Sequence, residues 1–211
     1  DRCRDILHSM GRAGKDDLMM RSAPLSAVLR EAAEPHQGRG KKIVFEVAPR
    51  PGSDQRQPSI HRRPEIIHGL RNLVQNAVDF ARGRVWVSAA WSDAEISVRI
   101  ADDGPGFPPQ LIGRIGDPFV RRREPAPDDA VRPEYHGMGL GLFIAKTLLE
   151  RSGARLAFSN GSDPFLSAGE RPERCGAVVE AVWPRAVLAA QEPGRDGEAR
   201  SGLGENRPIR A

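Results

Sequence analysis

The chain has 211 residues, of which 39% are hydrophobic and 28% charged, enough for one domain with a proper core and a short appendage. No apolar run approaches the ~20 residues that cross a bilayer and no signal peptide is visible, so the sequence reads as a cytosolic one. The net charge of +4 comes with only 5% aromatic residues and with arginines scattered among acids; it offers no stacking platform or recognition helix, which argues against nucleic acid as a partner.

In chain order, "RCRDILHSM" at residues 2–10 reads as the end of a helix, closed by Gly11 and Gly14 and followed by the polar turn Lys15-Asp16-Asp17. Such a piece is too short to stand alone. Because the chain starts in mid-pattern at Asp1, residues 1–21 are expected to be the tail of something longer. From Ser22 to Pro184, helical and strand patterns alternate. A helix is predicted from near Leu25 through "PLSAVLREAAEPH" and a strand over Ile43–Val47. Glu65–Arg82 carries Ile66, Ile67, Leu70, Leu73, Val74, Ala77, Val78 and Ala81 at the spacing of a buried helix face. Arg84–Trp91 and Glu95–Asp102 read as a hairpin around Ser92-Asp93-Ala94. A proline-rich stretch from Gly104 to Met138 has little periodicity, and a loop of that length inside a domain is usually functional or disordered. The helix Leu140–Ser152, ended by Gly153, and strands at Arg155–Ser159 and Ala177–Trp183 follow, separated by the irregular "NGSDPFLSAGERPERCG". Residues 185–211, rich in Gly, Pro and charge, read as a mostly disordered tail. Cys3 and Cys175 are too few and too far apart for a zinc site or a disulfide framework and read as reduced thiols.

Three short elements carry chemistry. Asn72 and Asn76 lie four apart on the long helix and project from one side, roughly opposite the apolar stripe. Asparagine is a poor interior helix residue, so the pair is either a solvated face or a set of amide oxygens for a hard cation such as Mg²⁺. The strand ending at Asp102 runs into "DDGPGF", which is a turn signal and equally a carboxylate placed to accept a hydrogen bond from an exocyclic amine. Finally "HGMGLGLFIAKTLLERSGA" places Gly137, Gly139 and Gly141 at every second position before a helix. The dinucleotide fingerprint fails there, since Leu142 stands where its third glycine belongs, and a P-loop fails at Ala145 and Leu140.

Taken in order, these elements resemble the GHKL superfamily of ATP-binding domains, and more narrowly the catalytic domain of sensor histidine kinases. "LRNLVQNAVDFA" is similar to the N box, "ADDGPGFPP" to the first glycine box, "GDPFVRRR" to the phenylalanine box around Phe119, and "HGMGLGLFIAKTLLERSGA" to the second glycine box. The resemblance implies a Bergerat-type two-layer α/β sandwich with a mixed sheet and a long ATP lid over about Phe107–His136. It implies ATP and Mg²⁺ as ligands: Asn76 on the metal with Asn72 beside it, Asp102 on the adenine amine, and Gly104 and Gly106 along the nucleotide. Gly137, Gly139, Leu140 and Gly141 would lie at the phosphates, with the positive end of the helix helping. Arg121, Arg122 and Arg123 are candidates for a phosphate contact, although a solvated loop is the plainer account of them.

Hydrolytic members of the superfamily carry a glutamate where Asn72 stands, and a neutral amide has no useful proton affinity near pH 7. Phosphoryl transfer to histidine is therefore favoured over hydrolysis, since positioning and charge neutralisation do most of the work in it. A GHKL hydrolase and a nucleotide-binding regulatory module without kinase activity remain the alternatives. None of His8, His36, His61, His68 or His136 has the context of a phosphoacceptor, and His136 reads as a surface residue at the lid end. The resemblance thus implies an absent helical dimerisation domain as substrate, of which residues 1–21 would be the end, a homodimer in the full-length protein, and a response regulator as partner.

"NAVDFA", with Asp79 where many kinases have a basic residue, and "GLGLFIAKTLLERSGA" are similar to the RegB/PrrB group of redox-responsive kinases, which are anchored in the inner membrane. By that resemblance Cys3, in "RCRDIL", would be a redox thiol whose pKa is lowered by Arg2 and Arg4; the plain alternative is a small helical residue. Cys175 is left unassigned.

Overall fold

The computed structural model describes residues 21–110, 112–115, 138–162, 166, 169 and 172–190. In chain order they form β1 (Ser22–Pro24), α1 (Leu25–Ala33), β2 (Lys42–Pro49), β3 (Ser59–His61), α2 (Pro64–Phe80), β4 (Arg84–Trp91), β5 (Glu95–Asp102), α3 (Met138–Arg151), β6 (Arg155–Asn160), β7 (Ala177–Pro184) and α4 (Arg185–Leu188). Short 3₁₀ turns follow α1 at Glu34–His36 and stand alone at Ile112–Arg114.

The main sheet has the order β2-β4-β5-β7-β6. β2 runs parallel to β4, which is possible because α2 carries the chain back between them, and the remaining pairs are antiparallel. The hairpin matches expectation, with Trp91 opposite Ile96 across the turn. This is the mixed sheet of the α/β fold that the resemblance implies.

Strand alternation decides which face is covered. Val85, Val87, Ala89 and Trp91 of β4, Ile96, Val98 and Ile100 of β5, and Val179, Ala181 and Trp183 of β7 are buried against the helices. The helices answer with the predicted stripe of α2, with Leu25, Val28, Leu29, Ala32 and Ala33 of α1, and with Leu142, Ala145 and Leu149 of α3. Ends are closed locally: Pro64 occupies the first turn of α2, and Ala154 N–H reaches Leu149 O past Gly153, whose φ is +96°. Over the opposite face of the sheet, Arg84 and Arg174 lie above the buried Trp86 ring at 5.7 and 5.2 Å, and their guanidinium groups pair with Glu173 and Glu46.

Two features differ from expectation. β1 and β3 form a separate antiparallel pair, Ser22 opposite His61, and three-residue strands leave too little periodicity to be seen in a sequence. The chain also stays ordered past Pro184. α4 buries Leu188 to 1% exposure, and Ala189 bridges Ile60 of β3, so the tail expected from residue 185 meets structure through Ala190. The apolar run from Ala186 to Ala190 is only five residues long, and the polar composition that follows it dominates any sequence window that contains it.

α2 and α3 cross closely at Gly69, where an added Cβ would stand 2.6 Å from Cγ of the fully buried Leu149. Gly69→Ala is expected to destabilise the domain by about 1–3 kcal/mol through overpacking, in spite of alanine's better helix propensity. Chemical denaturation of the two proteins measures it.

Candidate functional site

A narrow cleft opens between α2, α3 and the ends of β5 and β7. Its lining is mostly apolar: Leu73, Ala77 and Phe80 from α2, Ile100 from β5, Phe107, Leu142 from α3, and Val179 from β7. Phe107 is buried and meets Phe158 edge to face at 6.2 Å between ring centroids. Asn76, Asp102 and Gly106 supply the polar part. An apolar slot with a few convergent polar groups suits a flat heteroaromatic ligand.

Asp102 reaches the cleft by parity. It continues the series Ile96, Val98 and Ile100 on the helix-covered face of β5, so a charged side chain lands where the strand has been placing apolar ones. It is 2% exposed, and its Oδ1 accepts hydrogen bonds from Gly104 N (2.8 Å) and Ala177 N (3.1 Å). Burial pushes its carboxyl up to about 6, against the opposing pull of those two N–H groups. The neighbouring Asp103 points the other way and does a different job: its carboxylate accepts from Arg82 N and Gly83 N, tying down the turn after α2.

Across the cleft, Asn76 donates its Nδ2 to Asn72 O at 2.7 Å, and among the described residues its Oδ1 has no hydrogen-bond partner. Asn72 makes the same backward bond, to His68 O at 2.9 Å, but does not line the cleft. The pair therefore divides, with Asn76 inside and Asn72 one turn away on the rim. Gly141 packs on Asn76: a Cβ there would be 3.0 Å from Nδ2, so the second glycine box touches the N box directly. Gly104 and Gly106 are glycine because the protein itself approaches them. A Cβ at Gly104 would stand 2.3 Å from Phe80 O, and one at Gly106, where φ is +79°, would stand 2.6 Å from Asn160 Oδ1.

The structure thus brings Asn76, Asp102, Gly104, Gly106 and Gly141 together. Gly139 and Leu140 lie in the first turn of α3. Cys3, Phe119, Arg121, Arg122, Arg123, His136 and Gly137 lie outside the described residues. Sequence reading passed over Phe80 and took Phe107 only as the start of a lid, yet both are aromatic walls of the cleft. It also passed over Asn160, which stands at the start of a stretch read only as a loop. Cys175 sits with its Sγ 3.8 Å from Asp103 O, beside the Asp102 turn.

A family model described as "Histidine kinase-, DNA gyrase B-, and HSP90-like ATPase" matches residues 61–186. The chain belongs to this family. Among relatives of this ATPase-like domain, Sensor histidine kinase RegB of Cereibacter sphaeroides is 64% identical over 208 residues, which are 98% of this chain and 43% of that protein. The chain accordingly spans less than half the length of that relative. Among solved structures, the mycobacterial sensor histidine kinase MprB shares the fold at 23% identity and a TM-score of 0.55, over 77% of this chain and 95% of that one. Full-length ShkA in complex with AMPPNP is similar at 25% identity and a TM-score of 0.54, over 81% of this chain and 32% of that one. Family membership makes ATP the ligand to be expected of such a domain.

The raised Asp102 carboxyl has a consequence for stability. Between its ordinary value of 3.8 and about 6 the folded state binds more protons than the unfolded state, so stability falls as pH rises through that window and stays lower above it. The rise corresponds to roughly 3 kcal/mol as an upper bound. Asp102→Asn keeps an oxygen for both N–H groups and removes the charge. It is expected to be more stable than the native chain by about 1–3 kcal/mol at pH 7.5 and by much less at pH 4, as read by denaturation at the two pH values.

Proposed function

We propose that this domain binds Mg²⁺-ATP in the cleft and is the catalytic half of a two-component sensor histidine kinase. The observation that carries the reading is the Asp102 carboxylate, 2% exposed at the end of an apolar slot, facing the Asn76 carboxamide across it. Asp102 accepts the adenine amine, while Phe80, Phe107 and Ile100 exclude water from the ring. Asn76 fits a hard cation because its Nδ2 is already committed to Asn72 O, which leaves an amide oxygen for the metal. Bound Mg²⁺ would neutralise phosphate charge. Gly139, Leu140 and Gly141 start α3, whose N-terminal N–H groups and dipole favour phosphates; Gly137 and the Phe119 region belong to the same reading.

Asn72 is a neutral amide, so it cannot activate water. The γ-phosphoryl group instead passes from ATP, with ADP as the leaving group, to an imidazole nitrogen of a histidine on a helical dimerisation domain, and from there to a response regulator. In this reading residues 22–184 are the catalytic domain, extended by α4 and Ala190 on β3, residues 1–21 are the end of the dimerisation domain, and the remainder of 185–211 is a tail. The full-length protein is a homodimer anchored in the inner membrane, which accords with the RegB likeness; among the described residues no helix is long and apolar enough to cross a membrane. Cys3 as a redox thiol belongs to the same likeness.

The test supplies γ-labelled ATP and a separate dimerisation domain from a RegB-type kinase. Label on the acceptor histidine is expected, and steady phosphate release without transfer overturns the kinase in favour of a hydrolase. Asp102→Asn is expected to abolish measurable ATP binding in calorimetry while the fold persists. Asn76→Ala is expected to remove the magnesium dependence of ATP affinity and to lower phosphotransfer; dependence that survives it removes Asn76 from the metal.

A further inference from the structure

β6 ends on an unusual pair of hydrogen bonds. Along this strand Leu156, Phe158 and Asn160 are more buried than Arg155, Ala157 and Ser159, so Asn160 points to the helix-covered side, as Asp102 does on β5. It is paired with Ala177, whose N–H binds Asp102 Oδ1, and the three residues therefore form one row across the end of the sheet. From that row the Asn160 carboxamide reaches Phe107 and holds both polar atoms of its backbone: Oδ1 accepts from Phe107 N at 2.6 Å and Nδ2 donates to Phe107 O at 2.8 Å. A carboxamide has the donor and acceptor of a peptide group, so the side chain acts as one further residue of strand laid against Phe107.

The turn between Asp102 and Phe107 is consequently pinned at both ends. Asp102 Oδ1 holds Gly104 N, and Asn160 holds Phe107. Between them Gly106 adopts φ +79° and lies so close to the Asn160 carboxamide that no Cβ would fit. Gly106 and Phe107 both line the cleft, whereas Asn160 does not. We infer that Asn160 is a positioning residue for the base-binding wall: acting through Phe107, it sets the width of the slot beside Asp102. Serine or alanine at this place could not make the two-point contact. This inference rests on the nucleotide reading of the cleft, and its effect falls on the base rather than on the phosphates.

The experiment compares the native chain with Asn160→Ala and Asn160→Asp, measuring affinity for ATP and for adenosine well below each Tm together with hydrogen exchange at the Phe107 amide. With two hydrogen bonds lost, Asn160→Ala is expected to weaken both ligands by about tenfold, equally for the two, and to speed exchange at Phe107 by a similar factor. Asn160→Asp keeps the acceptor for Phe107 N but sets a carboxylate oxygen against Phe107 O, and is expected to weaken both ligands at least as much as Asn160→Ala, again equally for the two. Should Asn160→Ala fail to fold, Asn160→Asp decides alone. A lower Tm with unchanged affinities overturns the inference and leaves Asn160 a structural residue, and so does weakening confined to ATP. If the native chain binds neither ligand, the nucleotide reading itself falls, while the exchange rate at Phe107 still decides whether Asn160 pins the wall.

Discussion

Asp102 places a carboxylate at 2% exposure at the end of β5, with two backbone N–H groups on one of its oxygens. Removing a carboxylate from water is costly, and two N–H groups only partly offset the loss, as the upward push on its carboxyl to about 6 records. The surroundings are arranged to satisfy it. β7 must begin so that Ala177 N points at it, Gly104 must turn back over it, and Gly176 must lack a side chain, because a Cβ there would collide with Oδ1 and with the turn. A site that keeps such a group half-satisfied is poised for a ligand that donates one more hydrogen bond, and binding would then relieve a cost that folding has left in place.

α2 serves two environments along one length. Its apolar stripe fills the space above the sheet, and the adjoining edge turns Asn76 and Phe80 into the cleft. The backward bonds of Asn76 and Asn72 to carbonyls one turn earlier fix the direction of both amides. A helix packed this firmly gives the site a rigid side, and α3 shares it by crossing at Gly69 and by resting Gly141 on Asn76. The lining of the cleft is thus built from elements that the core already holds.

Much of this was legible in the sequence wherever a period ran long enough. The stripe of α2, the hairpin of β4 and β5 and the helix after the glycines all follow from spacing, and their limits fall within a few residues of expectation. Asp102 stood out in the sequence as the carboxylate that ends a strand, and the alternation Ile96, Val98, Ile100 sends it inward; the hold of Asp103 on the turn after α2 has no such signal. β1 and β3 were not, because three residues show no period and their pairing partners lie far apart in the chain. Nor was the division between Asn72 and Asn76, which depends on where the cleft stops, or the reach of Asn160 across 53 positions to Phe107. Gly104 and Gly106 look like room for a ligand in the sequence, and the structure shows that their nearest neighbours are Phe80 and Asn160.

β3 has a further significance for how such a domain is joined to others. Ile60 lies between Ala23 of β1 and Ala189, so the strand leading into the domain and the segment leaving it flank the same three residues. With two strand spacings between them, the two crossing points stand about 10 Å apart. The first and last described residues of the domain are thus held side by side on one small patch of its surface. Ends held this close together are the arrangement that tolerates insertion into another chain or circular permutation, since neither the sheet nor the cleft has to open for it.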